Sequence, residues 1–493
     1  MLEFVPVYKR LRRFMETVAR RRASIDLLGR SIITDGGIPV LPSTAAAYTF
    51  DTAYRDRVNP QWVRLLDVLQ MNVHYEQCRG IELYTSDGQR ILDFLSGYCV
   101  HNAGHNHAAI IEAIREELER RGPAMLQSHV PELAGELADR LCKRAGRRLQ
   151  KAYFASSGSE AIEAAIKFAR AHTGRAGLLY ANGAFHGLTC GALSLMGDAF
   201  WRDGFGPLLP EAEAVPFGDL QTLEQKLSSR RFAALILEAV QGEGGVRVPR
   251  PEYLRAAQAL CRRYGTLFVL DEVQTGMYRT GRFLAGQQFD VEPDMVALAK
   301  ALSGGLIPSG ALLMSDAVYD SVYGSLQRAI VHTSTFSENA LAMRAGLATL
   351  DVLEREHLGE RARAAGEYLR SRLHDVLAHY EMVKEVRGIG LLNGIEFQAP
   401  EKLRLRIPFE AFMKVHPGMF GQVLVMRLFR DQGFLTQICG NHFMVLKVAP
   451  PLIVEDGHLD DFVRAVAAVV ESMHSSGAFW SEALGLARRV INI

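Results

Sequence analysis

Two apolar runs near the middle of the chain each end on a charge. Leu267-Phe268-Val269-Leu270 is broken by Asp271 and Glu272, and Met295-Val296-Ala297-Leu298-Ala299 stops at Lys300, just before Ser303-Gly304-Gly305. Short uninterrupted apolar runs, with no polar residue at every second position, predict strands buried on both faces of a parallel sheet. Ligands of open α/β sheets bind outside the carboxyl ends of such strands. The acid and the lysine therefore stand where chemistry is usually done, although either alone would serve equally well as a helix cap or a surface charge.

The same pattern recurs along the chain. Residues 151–155, 178–180 and 233–237 read as further buried strands, and residues 108–121, 131–146 and 161–172 have helical spacing. Residues 62–73 are helical in pattern. Residues 81–85 and 91–95 flank Ser86-Asp87-Gly88 and predict a hairpin. Residues 337–378 make a long helical stretch. The segment 398–421, with Ile407-Pro408 and His416-Pro417-Gly418, reads as a long irregular loop. At the start, Val7, Leu11, Phe14, Met15 and Val18 make one helical stripe opposite Lys9, Arg10, Arg12, Arg13, Arg20, Arg21 and Arg22. This basic arm and its linker, residues 1–45, fit a solvated helix packed on the body or on a partner, an organelle transit segment, or a dock for an acidic carrier. Glu3, Glu16 and Asp26 weigh against transit.

Composition narrows the class. With 48% apolar residues, 23% charged residues and a net charge of +1, the chain of 493 residues has globular proportions and no electrostatic signature of nucleic-acid or membrane binding. No apolar run nears the roughly 20 residues of a membrane span. Six cysteines (78, 99, 142, 190, 261 and 439) lack CxxC spacing. That argues against a metal site or a disulfide framework and suits a reducing compartment, the cytoplasm.

Ser156-Ser157-Gly158-Ser159-Glu160 lies between a strand and a helix. Backbone N–H groups and the positive helix end converge at such a turn, which makes an anion site, though the same letters make an ordinary N-cap.

The sentence DEVQTG-x-x-RTG followed by ALAK-x-LSGG resembles the signature of the class III pyridoxal-phosphate aminotransferases, which include ornithine, acetylornithine and 4-aminobutyrate aminotransferases. The likeness runs from about Asp93 to Pro451. It implies an α/β chain of fold type I, with a mainly parallel central sheet and helices on both faces in a large domain, and a smaller α+β domain. Residues 46–100 would belong with the small domain, 101–345 would form the large cofactor-binding domain, and 346–493 the small domain.

The resemblance also implies roles. Lys300 joins the aldehyde of pyridoxal 5'-phosphate as a Schiff base and carries protons during transfer, and Asp271 holds a proton on the pyridine nitrogen. Gln274 bonds the ring phenolate oxygen. Ser157, Gly158 and Ser159 bind the phosphate. Phe185, in the family's aromatic-His-Gly position, stacks on the ring, with His186 at the cofactor edge or capping the loop. Glu238, which ends the strand before the family's Q-G-E-G-G segment, is counted among the cofactor-binding residues. Tyr98 aligns with an aromatic at the mouth of the site, although a core tyrosine would fit its sequence context. Thr335, in His332-Thr333-Ser334-Thr335-Phe336, reaches the phosphate of a neighbouring subunit, which implies a homodimer or higher homo-oligomer.

Two positions depart from the family pattern. Many relatives have an arginine where Leu188 stands, and it grips a distal carboxylate. The arginine before the family's A-P-P-L is Lys447 here, a charge without the bidentate fork. A Glu243–Lys447 pair in the resting site, and a donor that is an ω-amine or an amino acid with an apolar or bulky distal end, are the resulting expectations. A keto or aldehyde acceptor completes a ping-pong cycle. Motifs alone leave open an aminomutase, decarboxylase or epimerase on the same scaffold, or a non-catalytic binding protein of the fold.

Overall fold

The computed structural model describes residues 51–126, 128–475 and 477–491, and the basic arm expected over 1–45 lies outside the described residues. The elements below belong to the unit that begins at Tyr54. Three strands come first, β1 (Tyr75–Arg79), β2 (Glu82–Thr85) and β3 (Arg90–Asp93), in an antiparallel meander. The β2–β3 turn is the Ser86-Asp87-Gly88 stretch, where Gly88 has φ +83°, a value that favours glycine.

The central sheet is built from β4 (Lys151–Ala155), β5 (Gly177–Ala181), β6 (Ala212–Val215), β7 (Phe232–Glu238), β8 (Leu267–Asp271), β9 (Met295–Leu298) and β10 (Gly310–Met314). Their order is β4-β10-β9-β8-β7-β5-β6, and only β10 runs antiparallel to its neighbours. Every residue of β5, β7, β8, β9 and β10 is buried. The two faces of β8 show why its run is continuously apolar. Leu267 and Val269 pack with Ile162, Ile166 and Phe168 of helix α1 (Gly158–Thr173). Phe268 and Leu270 belong to the core that holds Tyr253 and Leu254 of helix α2 (Pro251–Tyr264) on the other side.

Beyond this sheet lie helices α3 (Ala340–Arg355) and α4 (Leu358–Leu377), then β11 (Val383–Ile389) and β12 (Leu392–Phe397). The chain continues through α5 (Leu403–Val415), α6 (Phe420–Gln432), β13 (Phe434–Leu435), β14 (Gln437–Cys439) and β15 (His442–Val448) to α7 (Asp456–Ser475). A four-stranded antiparallel sheet has the order β11-β12-β15-β14, while β13 adds parallel to β3, Phe434 opposite Leu92. The N-terminal meander and the C-terminal region thus share a sheet.

The expected irregular loop at 398–421 is corrected by the structure, because α5 occupies most of it with Pro408 inside the helix. Proline in a helix interior costs about 3 kcal/mol. Leu405, Phe409 and Phe412 fall on one helical face and are all buried, and burying each such side chain is worth about 1.5–3 kcal/mol. Tertiary burial outweighs the local penalty.

Candidate active site

Parallel pairing brings the ends of three strands together. Glu238 is in register with Asp271 across β7 and β8, and Asp271 is opposite Ala297 on β9, three residues before Lys300. Both side chains, with Lys300, line one cavity of about 460 Å³. The sheet's strand pairing, fixed by burial on both faces, is what sets the acid and the lysine side by side. Lys300 opens a short 3-10 turn with φ +45°, a left-handed conformation that costs a non-glycine residue about 1–2 kcal/mol. Such strain persists where the surroundings over-determine the backbone, and it clusters at active sites.

Asp271 is fixed at both oxygens. His186 Nδ1 lies 2.8 Å from Oδ2, and the Val273 amide donates to Oδ1 at 3.0 Å. Burial alone would push the His186 imidazolium down, but the hydrogen bond and charge of Asp271 outweigh it and the group is raised overall. His186 therefore buttresses the acid from behind. Glu238, also buried, accepts from the Phe185 and Gly242 amides at 3.0 and 2.8 Å. Burial pushes its carboxyl up to about 7, against the opposing pull of His186. Its geometry makes it the anchor of the loop carrying Phe185.

The turn before α1 forms a cradle. Ser157 is the N-cap, its Oγ accepting from the Glu160 amide at 3.2 Å while the Glu160 carboxylate accepts from the Ser156 amide at 2.6 Å. This pair caps the helix and leaves the Ser157 O–H free to donate, while the first helical N–H groups, at Gly158 and Ser159, have no intrahelical acceptors. A Cβ on Gly158 would sit 2.9 Å from Val273 Cγ1, and a side chain at Gly187 would run into Ser159, so both glycines are required by close approach. Two side-chain atoms of cavity-lining residues, Gln274 Oε1 and Ser309 Oγ, are buried with no partner among the described residues. Polar atoms cost free energy when buried unpaired. A glycine-cleared helix N-terminus, an acid, a lysine and orphaned polar atoms in one cavity fit a flat polar group bearing a phosphate, as pyridoxal phosphate is.

Glu243 lines another wall of the cavity, and the C-terminal sheet backs it from outside the lining. Lys447, fully buried near the end of β15, donates from Nζ to Glu243 Oε1. Burial disfavours the ammonium, but the Glu243 carboxylate more than compensates and the lysine is raised. Glu243 is held below the usual carboxylate range, burial again being overcome by Lys447. The Gly440 amide donates to Glu243 Oε2 at 2.7 Å, and Gln274 Nε2 lies 3.3 Å from Oε1. Lys447 Nζ also stands 5.0 Å from the centre of the partly exposed Tyr98 ring.

Tyr98 belongs to a single left-handed turn, with φ between +46° and +69° at Ser96, Gly97, Tyr98 and Cys99. Asp93 Oδ1 accepts from the Leu95 and Ser96 amides at 2.8 and 2.7 Å, and Ser96 Oγ donates to the Ala449 carbonyl at 2.7 Å. Arg279 completes the support. It is fully buried and pairs with no carboxylate among the described residues, donating instead to Asn102, Ser96 and the carbonyls of Leu391 and Pro450. Burial lowers its guanidinium.

Four expected site residues lie outside the lining of this cavity, Tyr98 and Lys447 behind Glu243 and the other two elsewhere. Leu188 is half exposed and outside the residues lining the cavity, its amide donating to Ser159 Oγ at 3.3 Å. Thr335 is exposed and lines a separate groove with Tyr153, His332 and Arg344. Arg279, Trp201 and Asn441 went unassigned in the sequence. Arg279 lies in the RTG part of the family signature with no local sign of its burial, and Trp201 and Asn441 carry no local signal.

The sequence matches the family model for class-III aminotransferases over residues 66–470. It is 36% identical over 451 residues to the aminotransferase PigE of a Serratia species, covering 85% of this chain and 53% of that protein, so it spans about half that relative's length. An acetylornithine aminotransferase from Methanocaldococcus jannaschii is 35% identical, with 79% of this chain and 92% of that one covered. Among solved structures, an ornithine aminotransferase from Toxoplasma gondii, crystallised with partial occupancy of PLP at its active site, superposes with a TM-score of 0.74 at 28% identity, covering 86% of this chain and 98% of that one. With this fold of type I, its lysine and acid at adjoining strand ends, and a family match over most of its length, the chain belongs to the class III aminotransferases, the pyridoxal-phosphate-dependent transferases of amino groups.

Proposed function

We propose that the protein moves an amino group from an ω-amine, or from an amino acid with an apolar or bulky distal end, to a keto or aldehyde acceptor in two half-reactions. The observation that carries the reaction type is the meeting of Lys300 with the doubly held Asp271 in one cavity. The bound cofactor supplies an aldehyde carbon and an electron-withdrawing ring. Lys300 Nζ would hold the cofactor through its aldehyde and, once displaced by the donor amine, would carry a proton to and from the substrate carbon. Asp271, oriented by His186 and the Val273 amide, keeps the ring nitrogen protonated, a fixed charge that needs no reorganisation during reaction. Gly158 and Ser159 amides take the phosphate, with Ser157 shaping the turn. Phe185 would lie against the ring, and Gln274 would bond the ring oxygen.

The donor class follows from the wall that Glu243 lines. Lys447 is fully buried against Glu243 and lacks the fork that holds a carboxylate bidentately. Leu188 brings no charge. Both features disfavour a dicarboxylate donor. Thr335, outside this chain's own cavity, supports a homo-oligomer in which it serves the neighbouring site. The shared sheet of β3 and β13 supports grouping residues 46–100 with 346–493, apart from a large domain over 101–345. The free cysteines support a cytoplasmic setting, and none of the described helices is long and apolar enough to cross a membrane. Relatives named as aminotransferases favour transfer over an aminomutase, decarboxylase or epimerase. A panel of amines and amino acids, read out as pyridoxamine phosphate plus the matching aldehyde or keto acid after one turnover, tests the reading. Formation of product without pyridoxamine phosphate would overturn it.

A further inference from the structure

The β14–β15 hairpin turns on two residues, Gly440 and Asn441, between the paired Cys439 and His442. Five hydrogen bonds tie the turn to Glu243, to the residues before Phe185 and to Trp201. The Gly440 amide donates to Glu243 Oε2 at 2.7 Å and the Asn441 amide to the Glu243 carbonyl at 2.9 Å, so backbone and side chain of that glutamate are held by consecutive residues. The Asn441 side chain points the other way. Nδ2 is 3.0 Å from both the Gly183 and the Ala184 carbonyls, directly before Phe185, and Oδ1 accepts from Trp201 Nε1 at 2.7 Å. The orientation of this amide is fixed chemically. An indole N–H only donates and a carbonyl only accepts, so the oxygen must face Trp201 and the nitrogen the carbonyls.

Trp201 closes the arrangement. Its ring meets Phe185 edge to face, with centroids 5.4 Å apart and planes at 89°. A Cβ on Gly440 would come within 3.1 Å of Glu243 Oε2 and 3.4 Å of Trp201 Cζ2. Glycine there lets carboxylate and indole approach the turn together.

We propose that Asn441 is a positioning residue for the amino-transfer site. It holds the loop bearing Phe185, and the indole behind that ring, in register with Glu243. The ring-facing wall and the substrate-facing glutamate then share one support, so a displacement of Glu243 that breaks the Gly440 bond is transmitted to Phe185. The proposal rests on the aminotransferase reading, and it is tested by a measurement that needs no turnover.

The apoprotein is titrated with pyridoxal phosphate to obtain a dissociation constant, alongside donor KM, kcat and Tm. Asn441→Ala, which removes the two carbonyl bonds and the bond from Trp201, raises the cofactor Kd about tenfold, the low end expected for three net hydrogen bonds, and raises donor KM more than it lowers kcat. Asn441→Asp, equal in size but presenting an acceptor to two carbonyls, is worse than alanine. Trp201→Phe loses one bond, keeps the ring on Phe185, and shifts Kd about two- to threefold. The double variant Trp201→Phe/Asn441→Ala is no worse than Asn441→Ala, because both remove the same bond. A cofactor Kd within twofold of wild type in Asn441→Ala, with only Tm lowered, would overturn the proposal, as would Asn441→Asp no worse than alanine. Should the position-441 variants fail to fold, an unchanged Kd in Trp201→Phe would overturn it. Failure of wild type to make pyridoxamine phosphate would strike the aminotransferase reading, and leaves the Kd comparison standing.

Discussion

The wall that carries Lys300 and Asp271 and the wall where Lys447 backs Glu243 are assembled over different distances along the chain. The first comes from adjoining strands of one sheet, with its acid and lysine on neighbouring β8 and β9 and its cradle at the start of α1. Burial on both faces fixes the register, and the register fixes the chemistry. The second wall joins a loop after β7 to β15, 204 residues later. Its members are held by an ion pair, a hairpin amide and an aromatic ring, each supplied by a different element. The first wall performs a reaction common to all substrates of such an enzyme, and the second must change when the substrate changes. A rigid sheet end suits the former, and separable contacts suit the latter.

The contrast can be broken or sharpened by substitution. Lys300→Ala removes the nucleophile and proton carrier, and kcat should fall by about 10³-fold or more, at the upper range for positioned acid–base catalysis. The visible absorbance of the lysine-bound cofactor should vanish with it. Residual activity within tenfold of wild type would remove Lys300 from the account. Asp271→Asn keeps the shape and loses the charge, with an expected fall in kcat of about 10²–10³-fold, comparable with removing one preorganised electrostatic contact. A change confined to KM would place Asp271 in binding alone.

On the other wall the first readout is stability. Glu243→Ala leaves Lys447 buried without its partner, at a cost of about 3 kcal/mol in denaturant unfolding, whereas Glu243→Met with Lys447→Met should lie close to wild type. If single and double variants were equally destabilised, the ion pair would not be the cause. The pH dependence follows from the directions of the two shifts. Glu243 is lowered on folding, so its stabilisation exists above the ordinary glutamate value of 4.5 and is lost as pH falls through the depressed folded value. Lys447 is raised, so its share exists below the ordinary lysine value of 10.5 and is lost as pH rises through the folded value. The penalty of Glu243→Ala should be largest between these limits and shrink in acid. The smallest effect expected is that of Leu188→Arg. Lying half exposed outside the cavity, an arginine there should lower KM for 2-oxoglutarate by about tenfold, the gain of one charge-assisted contact. No change would show that this position does not face the distal carboxylate.

The same division governs how much could be read from sequence. The β8 and β9 strands were visible as apolar runs because a strand buried on both faces has no polar alternation to hide it. Asp271 and Lys300 stood out as the charges that end them. The cradle was visible because serine and glycine between a strand and a helix have a narrow physical use, although nothing local decided between N-cap and anion site. In the structure Ser157 does the capping, which frees the two amides beside it. By contrast, no local pattern joins Asn441 to Gly183, or Arg279 to the carbonyl of Pro450, because those contacts depend on how the sheets pack. The helix at Leu403–Val415 was hidden for the same reason. Pro408 gives a correct local warning that three buried side chains overrule.

The central claim is that one lysine at the end of β9 takes the cofactor aldehyde opposite a charge-bearing acid. Reconstituting the protein with pyridoxal phosphate, reducing with borohydride and mapping the labelled peptide measures this directly. The account predicts a single stable adduct on Lys300, absent from Lys300→Ala and retained in Lys447→Met. An adduct on another lysine, or no adduct in protein that retains the cofactor, would contradict it.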